Sequence, residues 1–337
     1  MLRIEKDYSL LPYNTFGLPA RAACFVEFTT ADDAAAFLRE KGYPLPLLAV
    51  GEGSNLLFTR DFAGTVLHSR IQGFTVVGEG GSWVDVRAGS GVKWDDFVAY
   101  TVAHGWQGAE NLSLIPGTVG AAAVQNIGAY GVEAKDLIRE VRALQVEDGR
   151  MATFTTAECR YAYRDSIFKQ ELKGKYVVTD VLFRLNKQPR FHLDYGNVRA
   201  ELEREGVDVT AANVRQCIIR IRREKLPDPA VTGNAGSFFM NPIVPQGRFE
   251  SLQREYPDMP HYDAGEGQVK IPAGWMIDRC GWKGKAWGNA GVHDKQALVL
   301  VNRGGATAQE VMSLAEAIIR SVQEAFGVTL RPEVNFI

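Results

Sequence analysis

Three glycine-rich stretches lie between residues 51 and 131. They are Gly51-Glu-Gly-Ser-Asn55, Ala88-Gly-Ser-Gly91, and Ile115-Pro-Gly-Thr-Val-Gly120 running on through Gln125-Asn-Ile-Gly-Ala-Tyr-Gly131. Glycine lets backbone N–H groups approach a phosphate, and a nest of such donors holds a diphosphate without a cation. Any one of the three is as well explained as a tight turn. Together, with little cationic charge nearby, they favour a dinucleotide cradle.

Three other positions have side chains suited to proton and charge chemistry. Tyr163-Arg-Asp-Ser-Ile-Phe-Lys169 sets a phenol beside a guanidinium. Arg164 there suits a bidentate grip on a carboxylate, or equally an ion pair with Asp165. Ser237 sits in Thr232-Gly-Asn-Ala-Gly-Ser-Phe-Phe-Met-Asn-Pro242, a stretch read as a loop too glycine-rich for a core strand. Its hydroxyl is placed to donate a proton or to close a turn. The stretch is not a GxSxG elbow and has no histidine beside it, which argues against a hydrolase triad. Glu333 lies four residues from the end, where a glutamate is most simply solvated.

Composition removes several classes of function. The 337 residues are 46% hydrophobic and 23% charged, with a net charge of -2, so no field for nucleic acid or an anionic membrane is present. The four cysteines (24, 159, 217, 280) are scattered, and the five histidines lack metal-ligand spacing. This predicts reduced thiols and no metal site. No basic segment with an apolar run opens the chain, and no stretch reaches the roughly 18 apolar residues of a membrane span. A cytoplasmic protein is expected.

The elements that must position these residues follow from local pattern. Thr30-Ala-Asp-Asp33 reads as a capping box for a helix from Ala34 to Lys41, followed by a buried strand from Pro46 into Gly51. Hairpins come next: Phe74 to Val77 with Trp83 to Ala88, and Arg142 to Glu147 with Met151 to Thr155 about a two-residue Asp148-Gly149 turn. Trp94 to His104 and Ala212 to Lys225 read as helices, and Tyr176 to Leu185 as a strand. The prolines of Leu226-Pro-Asp-Pro229 mark a boundary. A second capping box, Thr307 to Glu310, starts a helix with apolar period 3.6, and a final strand runs from Val328 to Phe336. The class is α+β, with no internal repeat.

Taken together these stretches resemble the UDP-N-acetylenolpyruvoylglucosamine reductases, the MurB enzymes of bacterial peptidoglycan synthesis. The resemblance runs from Tyr13-Asn-Thr-Phe-Gly17 to Glu333. It is carried by Gly51 to Asn55, Gln125 to Gly131, Tyr163 to Ser166, Lys225 to Pro229 and Gly233-Asn-Ala-Gly-Ser-Phe-Phe239. Tyr262, in the insert between Phe239 and Trp287, with Tyr163 in its own loop, resembles the type I subgroup, which closes a tyrosine over its substrate.

The resemblance implies an FAD-binding fold of the vanillyl-alcohol-oxidase kind in residues 1–70 and 71–226, completed by 327–337. A third α+β domain, 227–326, would cover a nucleotide sugar. It implies non-covalent FAD held by Gly51, Gly53, Ser54, Asn55, Gly117, Gly120, Gln125, Asn126 and Gly128. It also implies NADPH as hydride donor, one pocket used in turn by NADPH and substrate, and a monomer. Arg164 and Glu333 would hold and polarise the carboxyl group of an enolpyruvyl ether, and Ser237 would give the proton. Tyr163, Tyr195, Lys225, Asn241, Tyr262, Lys270 and Gln296 would meet the nucleotide sugar. Met240 departs from the family, where lysine is common, and removes a cation near an anionic ligand. Two alternatives compete. A flavin oxidase of this fold often tethers its flavin through His or Cys, and the first two glycine-rich loops contain neither. A non-catalytic binding protein should have lost Arg164, Ser237 or Glu333.

Overall fold

A computed structural model describes residues 1–337, and the chain divides into two compact units. The first holds Met1–Ser9, Arg21–Glu52 and Phe62–Glu224; the second holds Leu10–Ala20, Gly53–Asp61 and Lys225–Ile337. The backbone therefore passes from one unit to the other inside the Gly51–Asn55 loop. Residues 327–337, expected with the cofactor-binding part, fall in the second unit.

The first unit has two sheets. One has the order Leu2–Ser9, Arg21–Phe28, Phe62–Ser69, Leu47–Val50; its first pair is antiparallel and the others are parallel. The helix Ala31–Glu40 connects its strands, starting earlier than the pattern suggested. Thr30 accepts the Asp33 N–H at 3.1 Å, but the expected box is only half formed, because the Asp33 carboxylate is drawn to the Met1 ammonium. The helix buries Ala34, Ala35, Phe37 and Leu38. Leu47–Val50, expected to be buried, is an edge strand in which only Val50 is inside.

The second sheet is antiparallel: Met151–Thr155, Ile138–Gln145, Tyr176–Asn186, Trp83–Gly89, Phe74–Glu79. Strand alternation sends Val84, Val86, Ala88, Val181 and Phe183 to a core with Trp94, Phe97, Leu112 and Val119. Intervening residues form ion pairs, Arg87 with Asp180 and Arg184 with Asp85, each at 2.7 Å. The Asp148-Gly149 turn is longer than two residues: Leu144 pairs with Met151, and Gly149 N–H returns to the Gln145 carbonyl at 2.8 Å. Helices Trp94–Ala103 and Ala211–Lys225 lie where the pattern put them. Val119–Gln125 and Val198–Glu205 are additional; the first turns the middle of the third glycine-rich stretch into helix.

The second unit carries an antiparallel sheet, Asn234–Ser237, Val299–Asn302, Ala290–Val292, Ala286–Trp287, and a three-stranded sheet, Ile243–Pro245, Gln268–Lys270, Tyr262–Asp263. Helix Ala308–Phe326 has the full capping box at Thr307 and Glu310 and buries Val311, Leu314, Ile318 and Val322. The expected strand from Val328 to Phe336 shrinks to Asn335–Phe336, parallel to Leu56–Leu57, plus an isolated bridge between Phe239 and Pro332. All four cysteines are free. No helix is long and apolar enough to cross a membrane.

Candidate active site

In the first unit Gly51 and Glu52, which open the first glycine-rich stretch, meet the second and third stretches. Gly120 N–H donates to Ser90 O at 3.0 Å, Val119 N–H to Val92 O at 2.9 Å, and Trp94 N–H to Gly117 O at 2.9 Å. A Cβ on Gly120 would stand 2.8 Å from the Ser90 Cβ, and one on Gly51 would stand 2.8 Å from Thr118 Oγ1. These glycines permit close backbone packing. The amides of Gly117 and Gly120, expected as ligand donors, are spent inside the protein: that of Gly117 (φ 117°) goes to Glu52 Oε2 at 2.8 Å. His68 supports the entry to the first loop through Nδ1, 3.0 Å from Val50 O.

Arg164 stands in a turn closed by reciprocal hydrogen bonds between Ala162 and Asp165, with φ at 57°. Its guanidinium donates to the carbonyls of Asn126 and Gly128, and its Cζ lies 5.2 Å from the Tyr163 ring centroid. A Cβ on Gly128 would come within 2.8 Å of Arg164 Nη1, so glycine makes room for the guanidinium. The Asp165 carboxylate accepts from Ser166 N–H and Gln170 Nε2, both at 2.9 Å. Asn126 is wholly buried; its side chain donates to Glu133 and to Ala162 O and accepts from Lys135 N–H. It braces the Arg164 turn.

Arg222 was missed by the sequence reading. It looks like one more cation in an amphipathic helix, yet its Nε is buried without a partner. Burial pushes this guanidinium below its ordinary value; Tyr130 and Asp95 pull it back up, and nearby Arg164 lowers it further. Arg164 and Arg222 thus lie near enough for each charge to act on the other.

In the second unit, Ser237 ends a strand and is not in a loop, contrary to expectation. It pairs with Val299, and a bulge between Asn234 and Ser237 is accommodated by Gly236 at φ 68°. A bulge re-aims the residue that follows it. Asn234 pins the stretch: its N–H donates to Thr15 O at 2.9 Å, its carbonyl accepts from Thr15 Oγ1 at 2.6 Å, and its side chain accepts from Gly236 N–H. Thr15 N–H also reaches Gly53 O at 3.3 Å, so Tyr13–Gly17 braces two motifs at once.

Glu333 is half-buried, not solvated as its place near the end suggests. Its N–H donates to Phe238 O at 2.8 Å, and its carbonyl accepts from Asn55 Nδ2 at 3.2 Å. The residue after Ser237 and the last residue of the first glycine-rich loop therefore hold Glu333 between them.

The remaining candidates are spread more widely. Tyr195 packs beside Gly131 in the first unit, and Gln125 ends the Val119–Gln125 helix. In the second unit Tyr262 pairs with Lys270, whose Nζ lies 5.8 Å from the ring centroid. Asn241 Oδ1 accepts from Ala273 N–H at 2.9 Å, Gln296 Oε1 accepts from Leu298 N–H at 3.3 Å, Met240 N–H donates to Arg331 O at 2.9 Å, and Lys225 is exposed.

Comparison with known proteins now bears on this arrangement. Residues 22–155 match the FAD binding domain family, and residues 228–337 match the C-terminal domain of UDP-N-acetylenolpyruvoylglucosamine reductase. The protein of that name from Bacteroides fragilis is 57% identical over 334 residues, covering 99% of this chain and all of the relative. The one from Pseudomonas aeruginosa is 50% identical and covers 99% of both chains. The chain belongs to the UDP-N-acetylenolpyruvoylglucosamine reductase family. A crystal structure of the Thermus caldophilus member shares the fold, with a TM-score of 0.70 at 24% identity, covering 100% of this chain and 99% of that one. The α+β class and the FAD-binding fold are as expected from the sequence, and with the family come oxidoreductase activity and FAD as cofactor. The residues present fit that cofactor. The carbonyls of Gly53 and Asn55 are tied to Thr15 and Asn335 N–H, which turns the acceptors of the first loop toward protein and suits its amides to a diphosphate.

Proposed function

We propose that this protein reduces the enolpyruvyl ether of UDP-N-acetylglucosamine to UDP-N-acetylmuramate, drawing on NADPH. It acts as a cytoplasmic monomer in the supply of peptidoglycan precursor on which cell shape and division depend. Residues 1–70 and 71–226 form the two FAD-binding parts, and 227–326 bind the nucleotide sugar. The observation that supports the reading is the clamp on the Glu333 backbone, held by the carbonyl of Phe238, the residue after Ser237, and by the Asn55 side chain.

FAD, when bound, would supply hydride chemistry between NADPH and the terminal methylene carbon of the substrate. Negative charge then grows on the substrate carboxylate, and stabilising it is the largest demand on the protein. Arg164 meets that charge with its guanidinium. Glu333 shares the carboxyl group as a hydrogen-bond donor, which requires it to hold a proton. Ser237 gives its hydroxyl proton to the carbon next to the carboxylate. Gly51, Gly53, Ser54 and Asn55 would hold the diphosphate of FAD. Gly117, Gly120, Gln125, Asn126 and Gly128 would belong to the same cofactor-binding set. Lys225, Asn241, Tyr195, Lys270, Gln296 and Tyr163 serve the nucleotide sugar, and Tyr262 closes over it as in the type I subgroup.

Ser237→Ala tests this assignment because it separates the two halves of the reaction. Flavin reduction by NADPH needs no proton from Ser237 and stays near the wild-type rate. Reoxidation by the enolpyruvyl sugar loses a factor on the order of 10² to 10⁴, the usual worth of a positioned proton donor. Ser237→Cys recovers part of it. Normal reoxidation of the alanine variant in stopped-flow absorbance contradicts the role.

A further inference from the structure

The first glycine-rich loop contains a carboxylate where a diphosphate is to bind. Glu52 is one residue from Gly51 and Gly53, and a negative charge there opposes an anionic ligand through space. Its placement explains its presence. Oε2 accepts the Gly117 N–H at 2.8 Å, and Oε1 lies 3.5 Å from Lys93 Nζ. The carboxylate thus spends one oxygen on the third glycine-rich stretch and the other on the residue that opens helix Trp94–Ala103, just after the second.

Gly117 is held from both sides. Its carbonyl accepts from Trp94 N–H at 2.9 Å, its amide is taken by Glu52, and its φ of 117° is open only to glycine. Next to it, Thr118 bridges to Lys93 and has its Oγ1 so near Gly51 that a Cβ there would be 2.8 Å away. Backbone hydrogen bonds join the second stretch to the third, but the first stretch reaches the third through the Glu52 side chain. A hydrogen bond to an ionised acceptor is about twice as strong as a neutral one. A carboxylate is therefore a strong tie, and a neutral amide oxygen at the same reach keeps a substantial part of it.

We infer that Glu52 is a positioning residue of the FAD site: it locks the backbone of Gly51 and Glu52 to Gly117 and so sets the spacing between the first and third glycine-rich stretches within the first unit. The inference rests on the FAD reading of these loops. It makes a prediction of opposite sign to simple electrostatics. If Glu52 acts only by charge, removing it strengthens FAD binding. If it positions the loop, removing it weakens FAD binding.

The test measures FAD affinity of deflavinated wild type, Glu52→Gln, Glu52→Asp and Glu52→Ala by flavin fluorescence quenching, with hydrogen exchange of the Gly117 amide in the same proteins. Glutamine retains an acceptor at the right reach, so E52Q holds FAD within about threefold of wild type and keeps Gly117 protected. Aspartate is one methylene too short and alanine has no acceptor. Both lose affinity by about tenfold or more, the worth of a hydrogen bond to a charged group, and expose Gly117 to exchange. Equal or tighter FAD binding by E52A overturns the inference. Should E52A fail to fold, the E52Q and E52D pair decides: equal affinities overturn it, and a loss confined to aspartate supports it. A wild-type protein that takes up no FAD overturns the cofactor reading itself, and the inference with it.

Discussion

Asn55 donates its side-chain amide to the backbone carbonyl of Glu333 at 3.2 Å, so a residue of the first glycine-rich loop fixes the last polar residue assigned to the chemistry. The bond joins the Asn55 side chain directly to the Glu333 backbone. Asn55→Ala should lower unfolding free energy by about 1 kcal/mol, the typical net worth of one hydrogen bond. It should also slow flavin reoxidation by the sugar more than flavin reduction by NADPH. Urea melts and stopped-flow traces check both. An equal effect on the two half-reactions would show that the clamp serves the cofactor alone.

Gly53 is the most constrained glycine of that loop. A Cβ would stand 1.8 Å from the Tyr13 carbonyl oxygen, on a backbone with φ at 68°. Gly53→Ala should cost at least about 2 kcal/mol, from steric overlap and an unfavourable φ together. Gly81→Ala is the control: nothing lies within 4 Å of its Cβ position, and a change within about 0.5 kcal/mol is expected. Thermal melts of the two variants should differ clearly, and similar melts would mean the loop relaxes freely.

Stability should fall below neutral pH through His68. Burial pushes this imidazole below its ordinary value; the Val50 carbonyl and Glu27 oppose that, and Arg70 adds to it. Between the lowered folded value and about 6.5 in the unfolded chain, the unfolded state binds more protons. Stability is therefore full above that window, drops as pH falls through it, and levels off beneath it. His68→Gln can keep a donor to Val50 O without titrating. Its melting temperature should vary less with pH across this window, leaving the part due to His293, which burial also lowers. An unchanged slope would clear His68 of the effect.

Tyr262→Phe should leave folding unchanged, because the ring under the Lys270 ammonium remains. It should weaken nucleotide-sugar binding by about tenfold, the scale of one hydrogen bond, while flavin reduction by NADPH keeps its rate. Equal losses in both half-reactions would make the residue structural and remove the lid.

What the sequence made legible was local. The helix Ala308–Phe326 followed from Thr307, Glu310 and a 3.6-residue apolar period, and the antiparallel sheet from strand alternation. Ser237 was misplaced in a loop because glycines dominate its neighbourhood, while the strand that pairs with it, at Val299, is far along the chain. The terminal strand was over-read because apolar residues that pack singly against a core look the same as a strand in one dimension. Asn126 stands in a recognised motif, but that its side chain also reaches Glu133, Lys135 and Ala162 shows only in three dimensions. Glu52 stood inside a recognised motif, but a carboxylate beside a phosphate loop has no meaning until Gly117 is seen against it.

The central claim is that flavin carries reducing equivalents from NADPH to an enolpyruvyl nucleotide sugar. The most direct measurement is the anaerobic absorbance of the FAD-loaded protein, followed first on adding NADPH and then on adding UDP-N-acetylenolpyruvoylglucosamine. The account predicts that NADPH bleaches the flavin band, that the sugar restores it in one equivalent, and that UDP-N-acetylmuramate is formed. A flavin that NADPH does not bleach, or that stays bleached in the presence of the sugar, would contradict it.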